Sequence, residues 1–85
     1  MIIEYSPKFQ RLYKKLPREI CSLIKKKIAL LVKDPFDQKL KTHKLSGSLK
    51  DYWAISIDYR YRIIFTFESE NIIRLHMCGD HSIYQ

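Results

Sequence analysis

Glycine and proline are scarce in this sequence, two of the first and three of the second in 85 residues, and no Gly/Ser-rich or Pro-rich stretch is available as a linker. One hydrophobic core and no second domain are therefore expected over residues 1–85. Cysteine is as sparse: Cys21 and Cys78 cannot supply the dense disulfide framework of small secreted proteins. The N-terminus also lacks the long apolar segment of a signal peptide, so the expectation is a cytoplasmic chain with free thiols. Long hydrophobic runs are missing too. The longest, Ile28 to Val32, follows three lysines and falls far short of the roughly 20 residues that span a bilayer. A soluble protein without a membrane partner is expected.

Acidic residues are few, and their shortage is local. Residues 1–50 hold 13 Lys/Arg against four Asp/Glu, whereas residues 51–85 hold three against five. A basic surface of this kind attracts polyanions by phosphate contact and counterion release, so RNA, DNA or an acidic protein segment would each suit it. A lysine-rich helix exterior that only keeps a small protein in solution would give the same charge count.

What is present is enough for a core: 46% of residues are hydrophobic, including six Tyr, four Phe and one Trp. A domain this small still buries a limited share of its surface, and a bound partner could add stability. Met1–Tyr5 is short, apolar and β-branched. Ser6 and Pro7 then supply an N-cap and a first-turn proline for a helix to about Leu16. Leu16-Pro17 interrupts that helix. Beyond it, Ile20, Leu23, Ile24, Ile28 and Leu31 recur at helical spacing opposite Lys25, Lys26 and Lys33, predicting a second, amphipathic helix that ends near Asp34-Pro35. The short join predicts an αα-hairpin. Residues 36–49 read as polar, basic and irregular.

After Gly47 the period becomes twofold. Trp53, Ile55 and Ile57 alternate with Tyr52, Ala54, Ser56 and Asp58; Tyr61, Ile63, Phe65 and Phe67 alternate with Arg60, Arg62, Ile64 and Thr66; a third strand runs from Ile72 to Cys78. The predicted order is β-α-α-β-β-β, an α+β fold in which a helical hairpin covers one face of an antiparallel sheet. The same alternation puts Arg60, Arg62, Arg74 and His76 on the opposite face. Three converging arginines would suit an RNA backbone, because a guanidinium fork holds two phosphate oxygens and stays charged at any working pH, although arginine is also ordinary on a solvated sheet face. A zinc site from His76, Cys78 and His81 would offer at most three ligands where a structural site wants four.

Three tracts, His43-Lys-Leu-Ser-Gly-Ser-Leu-Lys-Asp-Tyr-Trp53, Ser56-Ile-Asp-Tyr-Arg-Tyr-Arg-Ile-Ile-Phe65 and Cys78-Gly-Asp-His-Ser-Ile-Tyr84, resemble the RelE/ParE toxin superfamily, with the YafQ-like branch the best match. The resemblance spans nearly the whole chain, since the opening Tyr5-Ser-Pro-Lys-Phe9 is also typical. It implies a RelE-like fold and the toxin of a type II toxin–antitoxin system: an endoribonuclease that cuts mRNA in the ribosomal A site without metal or cofactor, through attack of the RNA 2′-hydroxyl on the adjacent phosphate, and that is neutralised by a cognate acidic antitoxin. Such a reaction needs a base, positive charge for the transition state and an acid. By that resemblance His81 is the candidate acid, His43 the base or orienting partner, Arg62 the transition-state cation and Tyr84 the aromatic that stacks on a nucleotide. Lys44, Lys50, Arg60 and Arg74 are candidate RNA contacts, while Lys14, Lys15 and Lys25 to Lys27 read as a solvated helix face. Two positions depart from the branch: it has a histidine where this chain has Ser56 and an acidic residue where it has Arg60. The rival within the superfamily is a ParE-like DNA gyrase inhibitor without nuclease activity.

Overall fold

Ser6 and Pro7 do start the first helix, in the way their chemistry dictates. The computed structural model describes residues 1–84, with side chains through residue 83. Ser6 has extended backbone geometry and its hydroxyl accepts from the Phe9 N–H at 3.0 Å, satisfying one of the helix's orphan donors, while Pro7 fills the first position, where no N–H is needed. The same hydroxyl donates to the His76 carbonyl at 3.1 Å, which fixes the helix start to the last strand.

Strand β1 (Ile2–Tyr5) leads into helix α1 (Pro7–Lys14), which ends two residues earlier than its apolar pattern suggested, and Pro17 then opens α2 (Arg18–Lys33). Helix α2 stops at Asp34, whose extended conformation is the one expected before Pro35. Its buried residues, Ile24 and Leu31, come from the predicted apolar stripe. No described helix is long and apolar enough to cross a membrane.

The basic stretch before the meander is more ordered than its composition suggested. A 3-10 turn at Gln38–Leu40 buries Leu40, Lys41 takes a left-handed conformation (φ 51°), and two residues form β2 (His43–Lys44). A second 3-10 turn, Gly47–Leu49, starts at Gly47 with φ 66°, a conformation glycine adopts without steric cost. Then come β3 (Trp53–Ser56), β4 (Arg62–Phe67) and β5 (Ile72–Gly79), and a final 3-10 turn at His81–Tyr84.

The sheet has the order β1-β5-β4-β3-β2. The meander β3-β4-β5 is antiparallel as expected, but β1 joins the far edge parallel to β5, with Ile2 opposite Ile72 and Tyr5 opposite Leu75, so the sheet is mixed. The helices cover one face. Phe9, Ile24 and Leu31 meet Ile55, Ile63, Phe65, Ile73, Leu75 and Cys78, all nearly inaccessible, and each such side chain contributes about 1.5–3 kcal/mol.

One irregularity decides which residues face the other way. Ile64 lies opposite Met77 but Phe65 lies opposite Leu75, which leaves His76 as the extra residue of a β-bulge. Downstream of it the parity of β5 flips, so Cys78, and not Met77, enters the core.

Candidate active site

The open face of the sheet carries its chemistry at two separate ends of the β4–β5 ladder. Arg62 pairs with Ser56 on one side and Gly79 on the other, whereas Arg74 pairs with Thr66. Arg62 and Thr66 are four residue steps apart along the strand, about 13 Å. Arg60 is not on the strand at all; it sits in the β3–β4 turn, where the Asp58 carboxylate accepts from the Arg60 and Tyr61 N–H groups, both at 2.8 Å, and its guanidinium carbon stands 5.8 Å from the Tyr61 ring. The expected convergence of three arginines therefore does not occur. The turn's side-chain capping absorbs Arg60, and the length of the ladder separates the other two.

At the first end, Arg62 is half-buried and its Nη1 donates to the Asp58 carbonyl at 2.7 Å and the Tyr61 carbonyl at 3.0 Å. Neutral carbonyls orient the guanidinium without cancelling its charge, and no carboxylate pairs with it among the described residues. Across the ladder from Arg62, Gly79 has φ 157°, and a side chain there would meet Ile83 Cγ2 at 2.6 Å. Glycine lets the C-terminal turn fold back onto the strand end. Asp80 then holds that turn, accepting from the Ser82 N–H at 3.0 Å and the Ser82 hydroxyl at 2.6 Å, bonds that keep its carboxyl below the usual range. His81 opens the turn and is exposed. Along the backbone, His81 is thus one ladder step and two residues of chain from Arg62.

His43 reaches the same face from the other edge. It lies opposite Ala54, two residue pairs along from the Ser56–Arg62 step, and its Nδ1 is 3.0 Å from the Lys41 carbonyl. Lys44 is opposite Trp53, a core-facing residue, so it points to the helix side of the sheet edge. Lys50 follows the second 3-10 turn and is exposed. The Tyr84 side chain lies outside the described residues.

The second end is a closed network. Arg74 Nη1 meets Glu4 Oε1 at 3.5 Å. Thr66 donates to Glu68 at 2.6 Å, and its hydroxyl oxygen lies 2.8 Å from His76 Nε2. Because the single hydroxyl proton is directed at Glu68, His76 Nε2–H is the donor in the second bond. Tyr52 stands edge-on to the imidazole at 5.1 Å, and a recess of about 390 Å³ lined by Lys8, Arg11, Tyr52, His76 and Met77 opens beside it. Burial, and then the Arg74 charge, push the His76 pKa below its ordinary value, with Glu68 opposing. Among the described residues no three His, Cys, Asp or Glu side chains gather closely enough to hold a metal ion. Cys78 faces the core, where burial raises its thiol to about 12.

Sequence reasoning missed a third feature. Lys27, Lys39, Lys41 and Arg62, together with Ser56, Ile57, Asp58 and Tyr59, line a cleft of about 300 Å³. Lys27 had been assigned to a solvated helix face, and nothing in the irregular stretch singled out Lys39 or Lys41. Their meeting depends on the 3-10 turn at Gln38–Leu40, which brings that stretch against α2.

No protein-family model matches the chain, and no curated protein matches its sequence. Solved structures do match its fold. YafQ from E. coli superposes with a TM-score of 0.81 at 22% identity, covering 96% of this chain and 94% of that one. A YoeB/ParE toxin from Agrobacterium tumefaciens gives 0.79 at 19% identity, over 95% and 99% of the two chains. The toxin–antitoxin complex RelBE2 from Mycobacterium tuberculosis gives 0.79 at 15% identity, over 94% and 96%. Two helices on a five-stranded mixed sheet, in this order, are the fold of these toxins.

Proposed function

We propose that this chain is the toxin of a type II toxin–antitoxin pair, a metal-independent endoribonuclease of the YafQ-like kind that cleaves mRNA in the ribosomal A site. The observation that carries the reading is the backbone placement of His81 two residues beyond Gly79, the ladder partner of Arg62, on the fold shared with those toxins. His43, at the opposite edge of the same face, removes the proton from the RNA 2′-hydroxyl. The freed oxygen attacks the adjacent phosphorus, Arg62 bears on the charge that builds on the phosphoryl oxygens, and His81 gives a proton to the departing 5′-oxygen. The products are a 2′,3′-cyclic phosphate and a 5′-hydroxyl end. Tyr84 stacks on a nucleotide, and Lys44, Lys50 and Arg60 contribute longer-range attraction to the RNA.

The antitoxin in this reading is acidic and folds on binding, with apolar anchors supplying affinity and charge speeding encounter. The furrow between the helices supports it: about 450 Å³ lined by Tyr5, Phe9, Tyr13 and Ile28 and rimmed by Lys14 and Lys25. The solved RelBE2 structure is itself a toxin–antitoxin complex.

Induction in bacteria lacking the antitoxin, with mRNA ends mapped and gyrase supercoiling assayed in parallel, tests the reading. Cleavage within translated messages is expected. Intact messages with inhibited supercoiling would move the chain to the ParE-like kind.

A further inference from the structure

A cleft beside the β3–β4 turn gathers four cations, and no part of the proposed reaction uses most of them. Four cations contribute: Lys27 from α2, Lys39 and Lys41 from the first 3-10 turn and its cap, and Arg62 from β4. They come from three distant parts of the chain, so helical spacing does not explain their meeting. Two of the four heads are also held. Lys27 Nζ donates to the Lys39 carbonyl at 3.3 Å, and the Arg62 guanidinium is tied to the carbonyls of Asp58 and Tyr61. The single carboxylate in the lining, Asp58, is turned into its own loop, accepting from Arg60 N–H and Tyr61 N–H. None of the four cations has a carboxylate partner among the described residues.

At the lip stands Tyr59, 88% exposed, the most accessible large hydrophobic side chain described. An aromatic ring held out in water beside a cationic cleft offers what a single-stranded nucleic acid needs: a face for a base and cations for the phosphates on either side of it. An acidic peptide would use the cations and leave the ring idle.

We propose that this cleft is a subsite for single-stranded RNA, in which Lys27, Lys39 and Lys41 hold the phosphates of nucleotides flanking the scissile one and Tyr59 stacks on a flanking base. The inference rests on the ribonuclease reading. Because Arg62 lines both the cleft and the reacting face, a strand entering along the lysines would reach the Arg62–His81 pair without a break in positive charge. The subsite sets which strand end enters first and adds affinity outside the reacting atoms, so its loss acts on substrate binding more than on the step itself.

The test is binding of the full chain to a fluorescent 2′-O-methyl RNA 12-mer, which cannot undergo 2′-hydroxyl attack and therefore reports binding alone. Counterion release gives about fivefold in affinity per phosphate contact near 0.1 M salt, so Lys39→Ala with Lys41→Ala should weaken binding about 20-fold and reduce the slope of log K against log salt by about 1.4. Tyr59→Ala should cost roughly tenfold, and Tyr59→Phe should restore it. Lys26→Ala, which removes one charge from α2 outside the cleft, should change affinity by less than about threefold. Thermal melts of each variant exclude unfolding as the cause. Unchanged binding by the double lysine variant overturns the subsite even if mRNA cleavage on induction proceeds, and absence of binding by the wild-type chain overturns it as well. A poly-glutamate 12-mer that binds as tightly as the RNA, with the same loss on the double lysine variant and none on Tyr59→Ala, would assign the cleft to an acidic protein segment instead. The ribonuclease reading itself stands or falls separately, on the mapped mRNA ends.

Discussion

One arginine and one histidine lie toward each end of the β4–β5 ladder, Arg74 with His76 on β5 and Arg62 on β4 with His81 in the turn that follows β5, and the two ends differ in their electrostatic surroundings. Arg74 and His76 are surrounded by their own answers: Glu4 beside the guanidinium, Thr66 and Glu68 beyond the imidazole, Tyr52 against its ring. Around Arg62 the carboxylate of Asp58 is spent on capping its turn, and the other cations lining the same cleft are lysines. Residue type alone makes the pairs equivalent. The difference is that Arg74 is answered internally by Glu4, while the Arg62 guanidinium has no carboxylate partner among the described residues, and charge of that kind can stabilise a phosphate that arrives during a reaction.

The comparison breaks most directly through the histidines. His81→Ala should lower the single-turnover rate of mRNA cleavage about 10²–10⁴-fold, the usual loss when one acid–base group is removed, whereas His76→Ala should lower it by less than about tenfold. Primer extension on ribosome-bound message reads both. Equal losses would show that the two ends are not functionally distinct, and undiminished cleavage by folded His81→Ala would remove it from the role of acid.

The arginines sharpen the same contrast with a smaller expected effect. Arg62→Ala should reduce the rate at saturating ribosomes about 10²-fold with little change in ribosome affinity, the signature of an interaction made mainly in the transition state. Arg74→Ala should change neither by more than about threefold, and its exposed pair with Glu4 should be worth less than about 1 kcal/mol of stability by urea denaturation. Weaker binding with an unchanged saturated rate would make Arg62 a binding residue.

Much of this architecture was legible before the structure. Ser6-Pro7, Leu16-Pro17 and Asp34-Pro35 mark helix limits through chemistry that acts within a few residues, and the period-two pattern of the meander identifies the core face of β3 and β4. What stayed hidden depends on contacts between distant segments. Parallel pairing of Ile2 with Ile72 joins residues 70 positions apart and leaves no local trace. The bulge at His76 was invisible because Ile73, Leu75 and Met77 alternate as a regular strand would, and Met77 and Cys78 are both apolar, so nothing marks where parity flips. Alternation could tell that Arg62 and Arg74 face away from the helices, but not that Arg60 sits in the turn or that the ladder holds the other two apart. Resemblance pointed to His43, Arg62 and His81; it gave no hint of Tyr59 or of lysines drawn together by a 3-10 turn.

The smallest effect concerns the neutralised end and is a property of folding stability. His76 is pushed below its ordinary pKa first by burial and then by Arg74, with Glu68 pulling the other way, and Lys8 and Arg11 line the recess beside it without a described acidic neighbour. A histidine whose folded pKa is depressed takes up its proton more readily in the unfolded chain. As pH falls through the unfolded value, near 6.5, the unfolded state binds protons that the folded state does not, so stability declines until the lower folded pKa is passed and then levels off. Urea midpoints measured from pH 7.5 down to 5.0 should therefore fall in the wild type and fall less in His76→Gln, which fills the same space without titrating there. Glu68→Gln removes the one charge that favours the imidazolium and should steepen the decline, while Arg74→Ala should soften it. Identical slopes in wild type and His76→Gln would mean that burial and Arg74 do not hold His76 neutral, and the two ends of the ladder would then differ less than their geometry indicates.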